Sequence, residues 1–412
     1  MKNSILSLLM ISSLAFNSCD DNAENPILPV TTGPETEIVN VTGMLSGVHS
    51  WTNDIIYVLN QKVVVDAGAT LNIECGTIIK GTAGTGSLAS ALVVARDGTL
   101  NANGTADCPI IMTSTSDNIE VGQTAGTNLG VNDRGLWGGL IILGKAPSSF
   151  SGDVQEAQIE GIPADDTFGL YGGSDSSDSS GSIMYISIRH GGALIGEDNE
   201  INGLTLGGVG NGTTIDNIEV VANTDDGIEF FGGTVNASNL LIWGHGDDGL
   251  DIDQAYSGTI DNAVVIAGDV SDHGLEIDGP EGSMNGQFTL QNVTLIGNLV
   301  TEGGEYADYR SNAMGYTTNL YAVNFKASSD IELDNDGVAN NYNAGLLTFG
   351  VFEIVVPEGT TLESIFNNKA ENVAVEGFGY TSSSIATDAN TVGANTANLA
   401  WTYANATAAL GF

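Results

Sequence analysis

The chain has 412 residues, of which 42% are hydrophobic and 7% aromatic, with 55 glycines. Ten Lys and Arg against 51 Asp and Glu give a formal charge of −41, which excludes nucleic acid and anionic lipid headgroups as partners and makes cations the natural counterpart. High glycine beside Val, Ile, Thr, Asn and Asp, without long helical periodicity, predicts many short strands joined by tight turns.

Lys2 opens a targeting signal. Ile5 to Phe16 is an apolar run of 12 residues, suited to a signal h-region and too short to span a bilayer. It closes in Phe16-Asn17-Ser18-Cys19, followed by Asp20-Asp21. A small residue before a cysteine at that place resembles a bacterial lipobox, with Phe16 where the pattern carries Leu. The resemblance implies a signal peptide over 1–19 that ends at a lipidated Cys19. The acidic pair resembles the surface-export signal of Gram-negative lipoproteins of the Bacteroidota type. That implies an outer-membrane lipoprotein, exposed at the cell surface and touching the membrane through its lipid alone. Residues 20–38 carry Pro26, Pro29 and Pro34 among polar residues and read as a flexible tether. Cys75 and Cys108 read either as one disulfide of an exported protein or as two buried thiols.

From residue 39 the pattern is one of stacked coils. "AGATLNIECGTIIKG" from Ala67 and "RDGTLNANGTADCPIIMTS" from Arg96 are its first phrases. Residues 114–134 and 147–182 are polar and rich in Gly, Ser and Asp, and are expected as long loops on one side of a shaft. Four strand-like runs follow: "IDNIEVVAN" from Ile215, "ASNLLIWGH" from Ala237, "IDNAVVIAG" from Ile260 and "LQNVTLIGN" from Leu290. Asn217, Asn239, Asn262 and Asn292 hold one place in all four, at spacings of 22, 23 and 30, the signature of a solenoid whose repeats bury a core only by stacking. Asn suits a bend between strands, because it tolerates left-handed geometry and hydrogen-bonds its stacked equivalent. In the second strand of each repeat Ile228, Leu250 and Leu275 match, as do Phe230, Ile252 and Ile277. These point inward on a period of two, which turns Glu229, Asp251 and Glu276, and then Asp253 and Asp278, outward. The expected fold is all-β: a right-handed parallel β-helix (solenoid) with long loop insertions over 39–356 and a C-terminal cap over 357–412 that covers the strand edges of the last coil.

The runs "RGLWGGLIILGKAP" from Arg134, "IEGIPADDTFGLYGG" from Ile159, "YISIRHGGALIG" from Tyr185 and "NEINGLTLGGVGNGTTIDNIEVVANTDDGIEFFGGTVN" from Asn199 resemble a family of exported β-helix surface lipoproteins of Gram-negative, Bacteroidota-type bacteria. The resemblance implies the fold and leaves the activity open.

Stacking puts equivalent residues of adjacent coils ~4.8 Å apart. At such a spacing two unit charges repel by about 1 kcal/mol in water and by several times that near a protein surface. Residues 190–309 hold 21 Asp and Glu and not one Lys or Arg to answer the repulsion. Three readings stay open. Asp226, Glu229, Asp248, Asp251, Asp253, Asp272, Glu276 and Asp278 coordinate Ca²⁺, a hard cation that takes oxygen ligands. Or the carboxylates splay into solvent. Or some stay protonated, as a catalytic acid must.

The same turns bear a weaker resemblance to polygalacturonase-type β-helix hydrolases. Asn223-Thr224-Asp225 and Gly246-Asp247-Asp248 look like two of their motifs. Asp272-His273-Gly274 is similar to a third but lacks its leading Gly, and Arg310-Ser311-Asn312 falls at the fourth without its Lys. The resemblance implies Asp248 as general acid, Asp225 and Asp247 as activators of water, His273 as the residue orienting the acid, and Arg310 as the anchor for a sugar carboxylate. Trp243 and His245 are candidates to stack on a sugar ring. The function expected is calcium-dependent binding of a glycan or an envelope protein, as an adhesin or scaffold. The alternative is a polysaccharide-cleaving enzyme of the polygalacturonase or pectate-lyase-like kind, and a third reading is a surface spacer.

Overall fold

The computed structural model describes residues 36–163, 166–195, 200–300, 304–408 and 410–412. The expected signal peptide over 1–19, its Cys19, and the expected tether up to residue 35 lie outside the described residues. The rest is a right-handed parallel β-helix, in which each coil pairs with the coil before it and the coil after it.

Three columns of strands run along the shaft. The first takes Val48–Trp51, Thr70–Ile73 and Thr99–Asn103, then the opening halves of the long strands Gly181–Arg189, Thr214–Val221, Asn236–Trp243, Thr259–Ile266, Phe288–Ile296 and Gly315–Val323. The second takes Ile78–Gly81, Ile110–Ser114 and the closing halves of those long strands. The third holds the short strands Leu140–Leu143, Leu204–Gly207, Ile228–Phe231, Leu250–Asp253, His273–Ile277, Glu305–Tyr309 and Ile331–Leu333.

The asparagine column forms the corner between the first two sheets, as the spacing predicts. Asn217, Asn239, Asn262 and Asn292 have φ of +56°, +56°, +67° and +58°, and a fifth member, Asn319, has +53°. Asparagine populates this left-handed region more readily than most side chains. The side-chain amides then bond coil to coil. Asn262 Nδ2 donates to Asn239 Oδ1 at 2.7 Å, and Asn319 Nδ2 to Asn292 Oδ1 at 3.0 Å. Where the coil before offers Asp, the amide uses the carboxylate instead: Asn239 Nδ2 to Asp216 and Asn292 Nδ2 to Asp261, both at 2.7 Å. Inside the shaft, Ile228 pairs with Leu250 and Leu250 with Leu275, all without solvent exposure.

The outer faces explain where the loops go. On the second sheet Ile56, Ile78 and Ile111 present an apolar outer row, and the first insertion covers it through Ile119. On the third sheet the outer row begins as Val64, Val93 and Ile141, and the second insertion covers it with Phe150, Ile159, Ile162 and Tyr171. The two insertions therefore lie on two faces, not on one side of the shaft. Each follows the apolar row it must shield from water.

The C-terminal region has two parts. Phe366–Asn368 and Ser382–Ser384 add one more strand to the third and second sheets. The terminal residues then run back along the shaft rather than over its end. Leu399 and Ala404 cover Leu241 and Val264 on the outer face of the second sheet, and Trp243 packs near Tyr403, their rings tilted by 38°. Glu219 anchors this segment by accepting from the backbone N–H of Ala404 at 2.7 Å and of Tyr403 at 3.1 Å. The physical cause is the switch of that outer row from Glu219 to apolar Leu241 and Val264, which needs a cover.

Candidate functional site

The outer row of the third sheet changes character along the shaft. After Ile141 it continues in register as Thr205, Glu229, Asp251, Glu276, Asp308, Glu332 and Asn367. Five consecutive coils thus place a carboxyl at one position. They face outward, as the period of two requires, yet Glu229 is 6% exposed, Asp251 9%, Glu276 8%, Asp308 7% and Glu332 3%. Splaying into solvent is therefore ruled out for the ladder.

Beside it runs the turn from the second sheet to the third. Here the Asp-Gly phrase has a steric cause. A Cβ on Gly227 would lie 2.6 Å from the carbonyl oxygen of Gly249, and one on Gly249 would lie 2.6 Å from that of Gly274, so only glycine lets the coils close up. The preceding acids join the coils. Asp226 Oδ1 accepts from the Asp248 backbone N–H at 2.9 Å. Asp248 Oδ1 accepts from the backbone N–H of His273 at 2.9 Å and from its ring Nδ1 at 2.7 Å. Burial alone would lower the His273 pKa. The hydrogen bond and charge of Asp248 outweigh it and hold His273 at about 9, so the ring is charged at neutral pH.

The cavity at the head of the ladder is the most unusual feature. Glu160, Glu200, Asp225, Asp226, Glu229, Asp247 and Asp251 line about 380 Å³, with no basic side chain among them. Ligand oxygens of Asp225, Asp226 and Asp247 lie within 4.8 Å of one another, and so do those of Asp226, Glu229 and Asp251. The two sets share Asp226. Asn202 Nδ2 bridges the insertion to the ladder, donating to Glu160 Oε1 at 3.2 Å and also to Glu229. Asp251 Oδ1 is buried without a hydrogen-bond partner. Burial, reinforced by neighbouring carboxylates, raises Asp225 to about 7 and Asp247 to about 6, and holds Asp226, Glu229 and Asp251 well above the carboxylate range. Burial likewise raises Glu160 to about 7.

Further along, cations answer the ladder, contrary to the expectation of none. The charged His273 is one, and the Lys and Arg among them come from outside the 190–309 stretch. Arg310 bonds Asp278 Oδ2 at 2.8 Å and also Glu276, and Lys369 pairs with Glu332. Among the described residues, Glu229 and Asp251 have no such Lys or Arg partner.

The eight metal candidates thus separate. Asp226, Glu229 and Asp251 meet in the cavity. Asp248 and Glu276 cluster instead with His273. Asp253 and Asp278 line a neighbouring depression with Glu281, and Asp272 stays exposed at the turn, in neither group. The five catalytic candidates separate too. Asp225 and Asp247 face the cavity. The Asp248 side chain is 4% exposed and engaged by His273, which fits an orienting contact and leaves no path to a substrate. Arg310 is spent on two carboxylates, so it does not stand free to hold a sugar. Trp243 is partly buried against the terminal segment, and His245 is fully buried with Nε2 3.1 Å from the His273 carbonyl, so His245 offers no stacking face. Sequence reasoning missed Glu160 and Glu200, which sit outside the repeat, and Asp308 and Glu332. The last two carried a signal in the alternation Tyr306-Ala307-Asp308-Tyr309 and Ile331-Glu332-Leu333.

Shaft and ladder define a parallel β-helix protein with a largely buried acidic ladder on one face. Residues 43–405 match the family described as the pectate-lyase-like beta helix domain, and the chain belongs to it. No curated protein and no solved structure matches the chain.

Proposed function

We propose that this chain is an exported, lipid-anchored β-helix that binds Ca²⁺ in the acidic cavity and holds an acidic polysaccharide through the bound ion. The observation that carries the reading is the Asp251 carboxylate oxygen, buried without a partner in a cavity of seven acids and no bases. Such a group is costly unless an ion completes it. Asp226, Glu229 and Asp251, with Asp225 and Asp247 alongside, supply the hard oxygen ligands that Ca²⁺ takes, 6 to 8 in number at ~2.3–2.6 Å. A bound divalent ion lends the face the positive charge that a uronate chain needs. Membership in the pectate-lyase-like family supports a polysaccharide partner. The Cys19 that closes the apolar run supports surface attachment.

Cleavage is the second reading. It is favoured by the raised Asp225 and Asp247, at about 7 and about 6, which give a proton donor and acceptor near neutrality. The two readings compete, because an ion on these carboxylates drives their protons off. The test is a glycan array with a reducing-sugar assay, run in Ca²⁺ and in EDTA. Retention of acidic glycans in Ca²⁺ alone, lost in Asp251→Asn, supports binding. Sugar release that survives EDTA and fails in Asp225→Asn replaces it with hydrolysis.

A further inference from the structure

Outside the acidic face, the chain places two thiols together. Ile78 pairs with Ile111 in the second sheet, and Thr77 O accepts the Ile111 N–H at 3.0 Å, so the coils are in register with an offset of 33 residues. Cys75 and Cys108 lie in the turns that lead into these strands, each three residues before a paired isoleucine. Adjacent coils sit ~4.8 Å apart, inside the Cα separation of ~4.4–6.8 Å that a disulfide spans. The side chains converge as well as the backbones. Gly76, with φ +79°, leaves room for the Cys108 sulfur 3.0 Å from where a Cβ would stand. Cys75 also lies near enough to the Cys108 thiol to raise its pKa. Both cysteines are half-buried, and Cys108 lines a cavity of about 280 Å³ with Asn53, Pro109 and Thr124, which gives a small oxidant access.

We infer that Cys75 and Cys108 are an oxidation site that closes into a disulfide between adjacent coils, with a small-molecule or protein disulfide as the oxidant. One cysteine, as its thiolate, attacks a sulfur of the oxidant and expels a thiolate. The second attacks the protein sulfur of the mixed disulfide and expels the other. One S–S bond breaks and one forms, two protein thiols are oxidised, and the oxidant leaves as two thiols that carry both protons. Burial first, and Cys75 next, raise Cys108 to about 11, so closure speeds up with rising pH. The cross-link ties two coils through a 33-residue loop and stabilises the entry of the shaft.

The experiment treats purified full chain with excess oxidised glutathione, then maps peptides by mass spectrometry without reduction. The expected result is a Cys75–Cys108 linked peptide, with a Tm several degrees above the dithiothreitol-treated protein. The Cys75→Ser/Cys108→Ser double variant keeps the lower Tm under both treatments. Two alkylatable thiols after oxidation, glutathione adducts on either cysteine without the linked peptide, or linkage of either to Cys19 would overturn the inference.

Discussion

With the proposed calcium site, calcium and pH act in opposition at the head of the ladder. A carboxyl whose folded pKa is raised contributes stability that is complete below its unfolded pKa and lost as pH rises through the folded value. Asp225, raised to about 7 by burial and its acidic neighbours, loses its contribution between about pH 4 and that value. At ~1.4 kcal/mol per pH unit the full span is on the order of 4 kcal/mol. In EDTA, Tm therefore falls from about pH 5 to about pH 8. Ca²⁺ that binds only the folded cavity restores about 2.7 kcal/mol at a hundredfold excess over its dissociation constant. With an unfolding entropy of ~2.1 cal/mol/K per residue over the unit Thr36–Phe412, that is about 3 °C. NaCl at equal ionic strength does less, since it screens without coordinating. Asp251→Asn replaces a buried, unpartnered carboxyl with an amide of the same shape. Its Tm in EDTA at about pH 8 rises, and its calcium shift drops below about 1 °C. Scanning calorimetry reads all four conditions. Equal shifts from Ca²⁺ and NaCl, or an undiminished calcium shift in Asp251→Asn, refute the reasoning.

Asn239→Ala removes a bond to Asp216 and acceptance from Asn262 and Asn398, at a residue with φ +56°. Urea unfolding should report a loss of about 2–4 kcal/mol, with Asn239→Gly recovering the part due to backbone strain. Glu219→Ala strips the anchor of the terminal segment and removes the carboxylate that most offsets the burial of Arg189. The expected cost is about 3 kcal/mol, with faster hydrogen exchange in residues 399–408 than in the core strands. Labelling of cells with a palmitate analogue should tag the protein, and Cys19→Ala should abolish the tag.

What could be read from the sequence is what repeats once per coil. Asn217, Asn239, Asn262 and Asn292 stand out because a left-handed corner selects one residue type, and Ile228, Leu250 and Leu275 because the core admits only apolar volume. Glu229, Asp251 and Glu276 followed from the same alignment, but their burial did not. It depends on the loops and neighbouring coils that wall the third sheet, and a loop has no register to align. Glu160 reaches the cavity from such a loop, through Asn202. Arg310 and Lys369 answer charges of earlier coils, a pairing across the stack that residue-by-residue counting within 190–309 passes over. The backward course of the terminal segment was hidden for a related reason. Its Ala, Thr and Asn residues carry no strand pattern, and the surface it covers, Leu241 and Val264, reads like any buried strand.

A crystal grown with Ca²⁺ tests the central claim most directly, through anomalous diffraction collected at long wavelength. The account predicts a calcium peak bounded by Asp226, Glu229 and Asp251, with oxygen distances of ~2.3–2.6 Å. Only water between those three carboxylates at saturating Ca²⁺, or a calcium peak solely at another acidic group, would contradict it.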